Sequence, residues 1–171
     1  MKSIKKSIKK CTKEWNAVIE ALGHGKQIIL IRKYPPTANE FLLYPTFSYA
    51  RIADHLDFFK KSYRDFVSEH ANPKQTDKTI EIKYFAKVEG TKKMTYKDMW
   101  RIKDEHMWEE DHVKGYLKGK KAVIWFLRVY KLKNPVMVKK AKGMLYANLD
   151  TAVELEGSPV LPEPDFKEKL F

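Results

Sequence analysis

Gly25-Lys26-Gln27-Ile28-Ile29-Leu30-Ile31-Arg32 is the stretch from which the fold is read. The glycine lets the chain turn sharply out of a preceding amphipathic helix. The unbroken apolar run behind it predicts a strand over residues 26–34, buried on both faces. Cations bracket the run, and the strand period of two places Lys26 and Arg32 on one face. Two like charges on one face of an apolar strand need water or an anion, which is the first indication of a binding site. The basic-aromatic step Arg32-Lys33-Tyr34 closes the stretch.

Upstream, Trp15, Val18, Ile19 and Leu22 recur at helical spacing, and Gly23 ends that helix. The first ten residues repeat Lys-Ser-Ile-Lys-Lys. They are expected to form a basic arm, 1–10, that either frays into solvent or grips phosphate. Downstream of Pro35-Pro36, Phe41-Leu42-Leu43-Tyr44 predicts a second strand, leading into the turn Pro45-Thr46-Phe47-Ser48-Tyr49. Ile52, Leu56, Phe59, Tyr63, Phe66 and Val67 predict one amphipathic helix. Residues 79–88 alternate, with Ile80, Ile82, Tyr84, Ala86 and Val88 on one face. The other face carries Lys83 and Lys87 around Phe85.

Residues 95–118 form a polar, helix-prone insert with Trp100 and Trp108 among charges. Residues 121–132 are rich in Val, Ile, Trp, Phe and Tyr and predict a long strand that turns at Asn134-Pro135. Met144-Leu145-Tyr146 is a further strand, and a proline-bearing tail, 154–171, is expected to pack on the surface. Strands at irregular spacing, without a repeating βαβ unit, favour a mixed or antiparallel sheet over a doubly wound parallel one. The expected class is α+β: one domain over 1–171, with a small, mostly antiparallel, barrel-like sheet flanked by helices.

The net charge of +12 favours a polyanionic partner, with nucleic acid foremost. A solubilising lysine coat is the competing explanation, because most of the surplus is lysine. Cys11 is the single cysteine, so neither an internal disulfide nor a four-cysteine zinc site is possible. Its lysine neighbours would lower its thiol pKa. The N-terminus lacks the apolar core of a signal peptide, and no apolar window is long enough to span a membrane. A cytoplasmic protein with no membrane partner is expected; oligomeric state is not readable.

Several blocks occur in a recognisable order: Lys13-Glu14-Trp15 with Val18-Ile19-Glu20-Ala21-Leu22, then Gly25 to Lys33. Phe41-Leu42-Leu43-Tyr44-Pro45-Thr46 and Leu127-Arg128-Val129-Tyr130-Lys131-Leu132 follow. Together they resemble the family called domain of unknown function 1802. The departure is Lys142-Gly143-Met144-Leu145-Tyr146, where a Gly-Cys and a tryptophan would be expected. More distantly, a helix, a Gly-Lys step and a strand ending in arginine are similar to PUA-like domains of the ASCH and EVE types. That resemblance implies a PUA-like barrel that binds RNA or modified bases. It also implies a base pocket beside Tyr44-Pro45-Thr46. Some ASCH proteins are amidohydrolases using a lysine, a threonine three residues later and a glutamate. Lys26 matches the lysine, but Ile29 stands at the threonine position.

The expected function is a nucleic-acid-binding module for RNA, single strands or a modified base, working through a basic-aromatic pocket. Its candidate residues are Lys26, Arg32, Lys33, Tyr44, Thr46, Ser48, Tyr49, Lys83 and Trp100. Arginine offers a planar fork and lysine a mobile charge; the hydroxyls and rings of residues 44–49 can stack on and read a base. Two alternatives stand beside it. One is an enzyme on nucleic acid or nucleosides, either ASCH-type or a nuclease built on Glu81-Ile82-Lys83 with Asp57 or Asp65 as the upstream acid. The other is a protein-interaction domain with a basic surface. No catalytic residue, cofactor or metal is assigned. His106, Glu109, Glu110 and His112 miss the i, i+4 spacing of helical zinc ligands.

Overall fold

β1 (Ser7–Trp15) runs without a loop into α1 (Asn16–Gly23), and β2 (Ile29–Arg32) and β3 (Glu40–Thr46) follow. Short 3₁₀ turns lead to α2 (Arg64–Glu69) and then to the long β4 (Thr79–Met94). A 3₁₀ segment, Tyr96–Glu105, precedes α3 (Glu110–Leu117), β5 (Ala122–Lys139), β6 (Tyr146–Glu154), β7 (Gly157–Pro159) and α4 (Glu163–Lys169). This computed structural model describes residues 6–169. The strands form one sheet in the order β2-β5-β4-β3-β1-β6, with β7 also paired to β5. β1 and β3 are parallel, and every other pairing is antiparallel. The class is therefore α+β with a mixed, mostly antiparallel sheet that does not close.

Opposite faces of β3 feed two apolar clusters. Phe41 and Leu43 enter the larger one, with α1, β2 and the buried half of β5, while Leu42 and Tyr44 join Cys11, Ile82 and Leu149 in the smaller. β4 crosses between them. Ile80 and Ile82 lie in the smaller cluster, but Tyr84 and Ala86 lie in the larger one. A register shift explains the change: Ile82 faces Val136, whereas Tyr84 faces Lys131. A bulge alters the residue count on one strand and flips the face of everything beyond it. The uniform alternation read over 79–88 fails at that point, and Phe85 is buried against Tyr130 instead of lying open.

The same bulge absorbs Asn134-Pro135. The expected turn is absent, because the proline, which lacks an N–H, sits where the ladder is already broken. The continuous helix expected over Ile52 to Val67 is also absent: 3₁₀ turns and the short α2 replace it. Backbone bonds from Lys60 N–H to Met107 C=O and from Glu109 N–H to Phe58 C=O pull this segment into an extended bridge. A helix there would forfeit both.

Residues 1–5 of the basic arm lie outside the described residues. The rest of the arm is not frayed, for Ser7 onward is strand, paired with β6. The tail also has structure: β7 pairs with β5, Phe166 of α4 is buried, and Glu163 contacts Arg128. Among the described residues no helix is long and apolar enough to cross a membrane.

Candidate functional site

β2 is the terminal strand at one side of the sheet, and β1 lies four strand positions away. Flat, they would be roughly 19 Å apart at ~4.8 Å per step. Yet Arg32 Nη2 of β2 lies 2.8 Å from Glu14 Oε2 of β1, so the sheet curls until its two sides face each other. The contact is ionic, without the alignment of a hydrogen bond. Glu14 Oε1 accepts from the Trp15 N–H at 2.7 Å, and Arg32 Nη2 also donates to the Lys13 carbonyl at 3.5 Å.

A cleft of about 280 Å³ opens above this pair. Trp15 and Tyr34, Trp108 and Tyr116, and Thr46 and Ser48 line it, together with His112 and Leu145. The walls are stiffened from behind. Trp15 stacks on Tyr49 at 4.6 Å between ring centroids, and His112 stacks on Phe58 at 4.7 Å. Trp125 Nε1 donates to the Tyr34 carbonyl at 2.9 Å, and the Arg32 guanidinium lies 5.6 Å over the Trp125 ring.

The cleft's charge state follows from burial. Burial opposes the Arg32 cation, but Glu14 together with Tyr34 and Tyr116 outweighs it and holds the pKa above its ordinary value. Burial pushes the Tyr34 phenol up to about 12 and raises Tyr116 as well. Burial lowers the His112 imidazole, with Glu14 pulling the other way. At neutral pH the site therefore sets the Arg32 guanidinium among neutral phenols and a neutral imidazole.

Of the residues selected from sequence, Arg32, Thr46 and Ser48 line the cleft. Lys33 reaches its rim, with Nζ 4.7 Å over the Tyr116 ring. Tyr49 stands behind the wall, its hydroxyl accepting from Ala17 N–H and donating to Ala71 C=O. Tyr44 belongs to the smaller apolar cluster on the other face of β3, and its hydroxyl accepts from Ala141 N–H. Lys26 precedes β2 in a bend after Gly25, with Nζ 5.2 Å over Phe66, and does not share a strand face with Arg32. Lys83 pairs with Glu20 in a separate cavity. Trp100 is exposed on an adjoining groove of about 630 Å³, which shares Trp108 and Val113 with the cleft.

The sequence reading missed Glu14, Trp15, Tyr34, His112 and Tyr116 as site residues. Only Tyr34, two positions beyond Arg32, carried a signal. The helix-prone insert over residues 95–118 is interrupted at Trp108, which is buried in the extended bridge to Phe59. Of the two acids offered for a nuclease set, Asp57 is exposed and lies 3.9 Å from Arg64. Cys11 is buried, and burial raises its thiol to about 12 instead of lowering it.

The profile of a family described as a domain of unknown function, DUF1802, matches residues 11–170. The chain belongs to this family. Among solved structures, the DUF1802 chain is similar to an ASCH protein from Zymomonas mobilis. The two are 14% identical, with 94% of this chain and 91% of that chain covered, at a TM-score of 0.50. A serine-to-alanine variant of that protein is 17% identical over 78% of this chain and 76% of its own, at a TM-score of 0.48. A tyrosine-to-phenylalanine variant is 16% identical over 74% and 73%, at 0.47. At 14% identity the likeness to the first of these is one of fold. No curated protein matches the DUF1802 chain significantly.

Proposed function

We propose that this protein binds nucleic acid, preferring RNA or other single strands, and that the Arg32 cleft takes one unpaired or modified base. The observation that carries this reading is the Arg32 guanidinium, held charged by Glu14 at the floor of an aromatic-walled cleft. Its Nη2 is engaged by Glu14 and the Lys13 carbonyl, and Nη1 keeps its own N–H donors for an acceptor on a base edge. Tyr34 and Tyr116 supply π-faces for stacking, and Thr46 and Ser48 supply hydroxyls. A duplex keeps its bases stacked away from such a cleft, whereas a single strand does not. The net charge of +12 supplies the long-range attraction.

Binding is preferred over ASCH-type hydrolysis. Lys26, the lysine such an enzyme would use, lies over Phe66 outside the cleft. Titration with RNA, single-stranded DNA and duplex, read by tryptophan fluorescence at several salt concentrations, tests the reading. Single strands should bind more tightly than duplex, and log affinity should fall linearly with log salt. Undetectable binding at low salt, or binding indifferent to salt, overturns it. Salt-sensitive binding indifferent to base identity would instead support a basic protein-interaction surface.

A further inference from the structure

A second constellation lies at the other end of α1. Glu20 and His24 are one turn apart on the same helical face, with Glu20 Oε2 and His24 Nε2 at 3.2 Å. His70 follows α2 and is delivered by two ties: Asn16 Nδ2 donates to its carbonyl at 2.7 Å, and the Tyr49 hydroxyl donates to the next carbonyl, Ala71, at 3.4 Å. One ligand atom from each of Glu20, His24 and His70 lies within 4.8 Å of the others. Phe66 packs on both imidazoles, with centroids 5.6 Å from His24 and 4.4 Å from His70.

We propose that Glu20, His24 and His70 bind a divalent cation of the zinc class. Two imidazoles and a carboxylate are a borderline-soft N₂O donor set that suits zinc and poorly suits calcium or magnesium. Around a tetrahedral zinc with bonds of about 2.1 Å, ligand atoms stand roughly 3.4 Å apart. Glu20 and His24 already meet that spacing. His24, whose side chain is 44% exposed, can rotate to close the remainder.

The carboxylate is held in place from its far side. Lys83 Nζ sits 2.7 Å from Oε1, leaving Oε2 toward the histidines, and the Tyr84 hydroxyl donates to Oε2 at 3.3 Å. A cavity of about 140 Å³ adjoins the set and is lined by Glu20 and His70 with Asn72, Lys74, Glu81 and Lys83. A metal there would have an open coordination position facing water. Lys74 and Lys83 oppose the metal charge and Glu81 favours it, which predicts moderate affinity rather than that of a sealed structural site. The helical i, i+4 pair that residues 106–112 lack is present at Glu20-x-x-x-His24.

The test uses the full chain, stripped with chelator and titrated calorimetrically with Zn²⁺. One Zn²⁺ per chain should bind in the micromolar range or tighter, and Co²⁺ should give a visible ligand-field spectrum that Zn²⁺ displaces. His24→Ala and His70→Ala should each weaken Zn²⁺ binding about tenfold or more, and His55→Ala should leave it unchanged. Zn²⁺ should raise the melting temperature of the wild type and not of either variant. Circular dichroism checks that the variants fold. Absence of stoichiometric Zn²⁺ binding to the wild type, or unchanged affinity in both folded variants, overturns the proposal. Neither outcome bears on the Arg32 cleft.

Discussion

Arg32 Nη2 and Glu14 Oε2 lie 2.8 Å apart, and both side chains are buried although their strands sit on opposite sides of an open sheet. The pair pins the curl and also sets the charge at the floor of the cleft. Removing one partner strands the other charge in a poorly solvated place. Arg32→Met should therefore cost about 3–5 kcal/mol of stability, and Arg32→Met with Glu14→Leu should regain most of it. Urea denaturation of the two variants checks this.

The proposed base contact needs the planar guanidinium of Arg32, which can hold Glu14 through Nη2 and donate to a base through Nη1, and not merely its charge. Arg32→Lys should weaken single-strand binding by ~1–3 kcal/mol, the usual worth of a specific base contact. Tyr116→Leu should lose a similar ~1–3 kcal/mol if the ring stacks. Tyr44→Phe should bind like the wild type, because Tyr44 lies in the other apolar cluster. Oligonucleotide titrations on variants shown to be folded decide the matter.

Burial, helped by the Lys60 cation, lowers His106 from 6.5 to about 3. Between those values the unfolded chain binds a proton that the folded one refuses. The stability is fully present above about 6.5 and is lost as pH falls toward 3, with a slope of at most about 1.4 kcal/mol per pH unit. The same variant series in acid should show that slope reduced in His106→Gln, once the variant's own stability at neutral pH is subtracted.

A Cβ at Gly23 would intrude on the Tyr84 ring, whose hydroxyl also serves Glu20. Gly23→Ala should cost about 1–3 kcal/mol through overpacking, despite alanine's better helix propensity. Gly90→Ala is the control, since nothing lies within 4 Å of a Cβ there. Thermal melts of the two should diverge.

Cys11 is buried and its thiol is pushed up to about 12 by that burial. Thiol-reactive reagents at neutral pH should label the native protein slowly and the urea-unfolded protein fast. Rapid native labelling would contradict the position of β1 against β6.

Much of the sheet was legible because burial on both faces leaves a plain record. Ile28, Ile29, Leu30, Val123 and Trp125 read as core and are core. What local pattern did not reveal was set by distant partners. β1 is rich in lysine because one face of its first half meets solvent, so it read as an arm. The bulge that swings Tyr84 into the larger cluster depends on how β5 pairs, which periodicity does not record. The cleft was half legible for the same reason. Arg32, Thr46 and Ser48 lie in conspicuous segments, whereas Glu14, His112 and Tyr116 reach the cleft only when the sheet curls.

Ser7 faces Glu154, and Thr12 faces Tyr146. The earliest strand thus waits for nearly the latest one before its second ladder can form. Contacts that span almost the whole chain are slow to find because the intervening loop must be closed first. During synthesis β1 and β3 can meet while the outer rim of β1 still offers its amide groups to any passing strand. The lysines of that segment then have a kinetic use: like charges on neighbouring nascent chains repel, and the rim stays available until β6 leaves the ribosome.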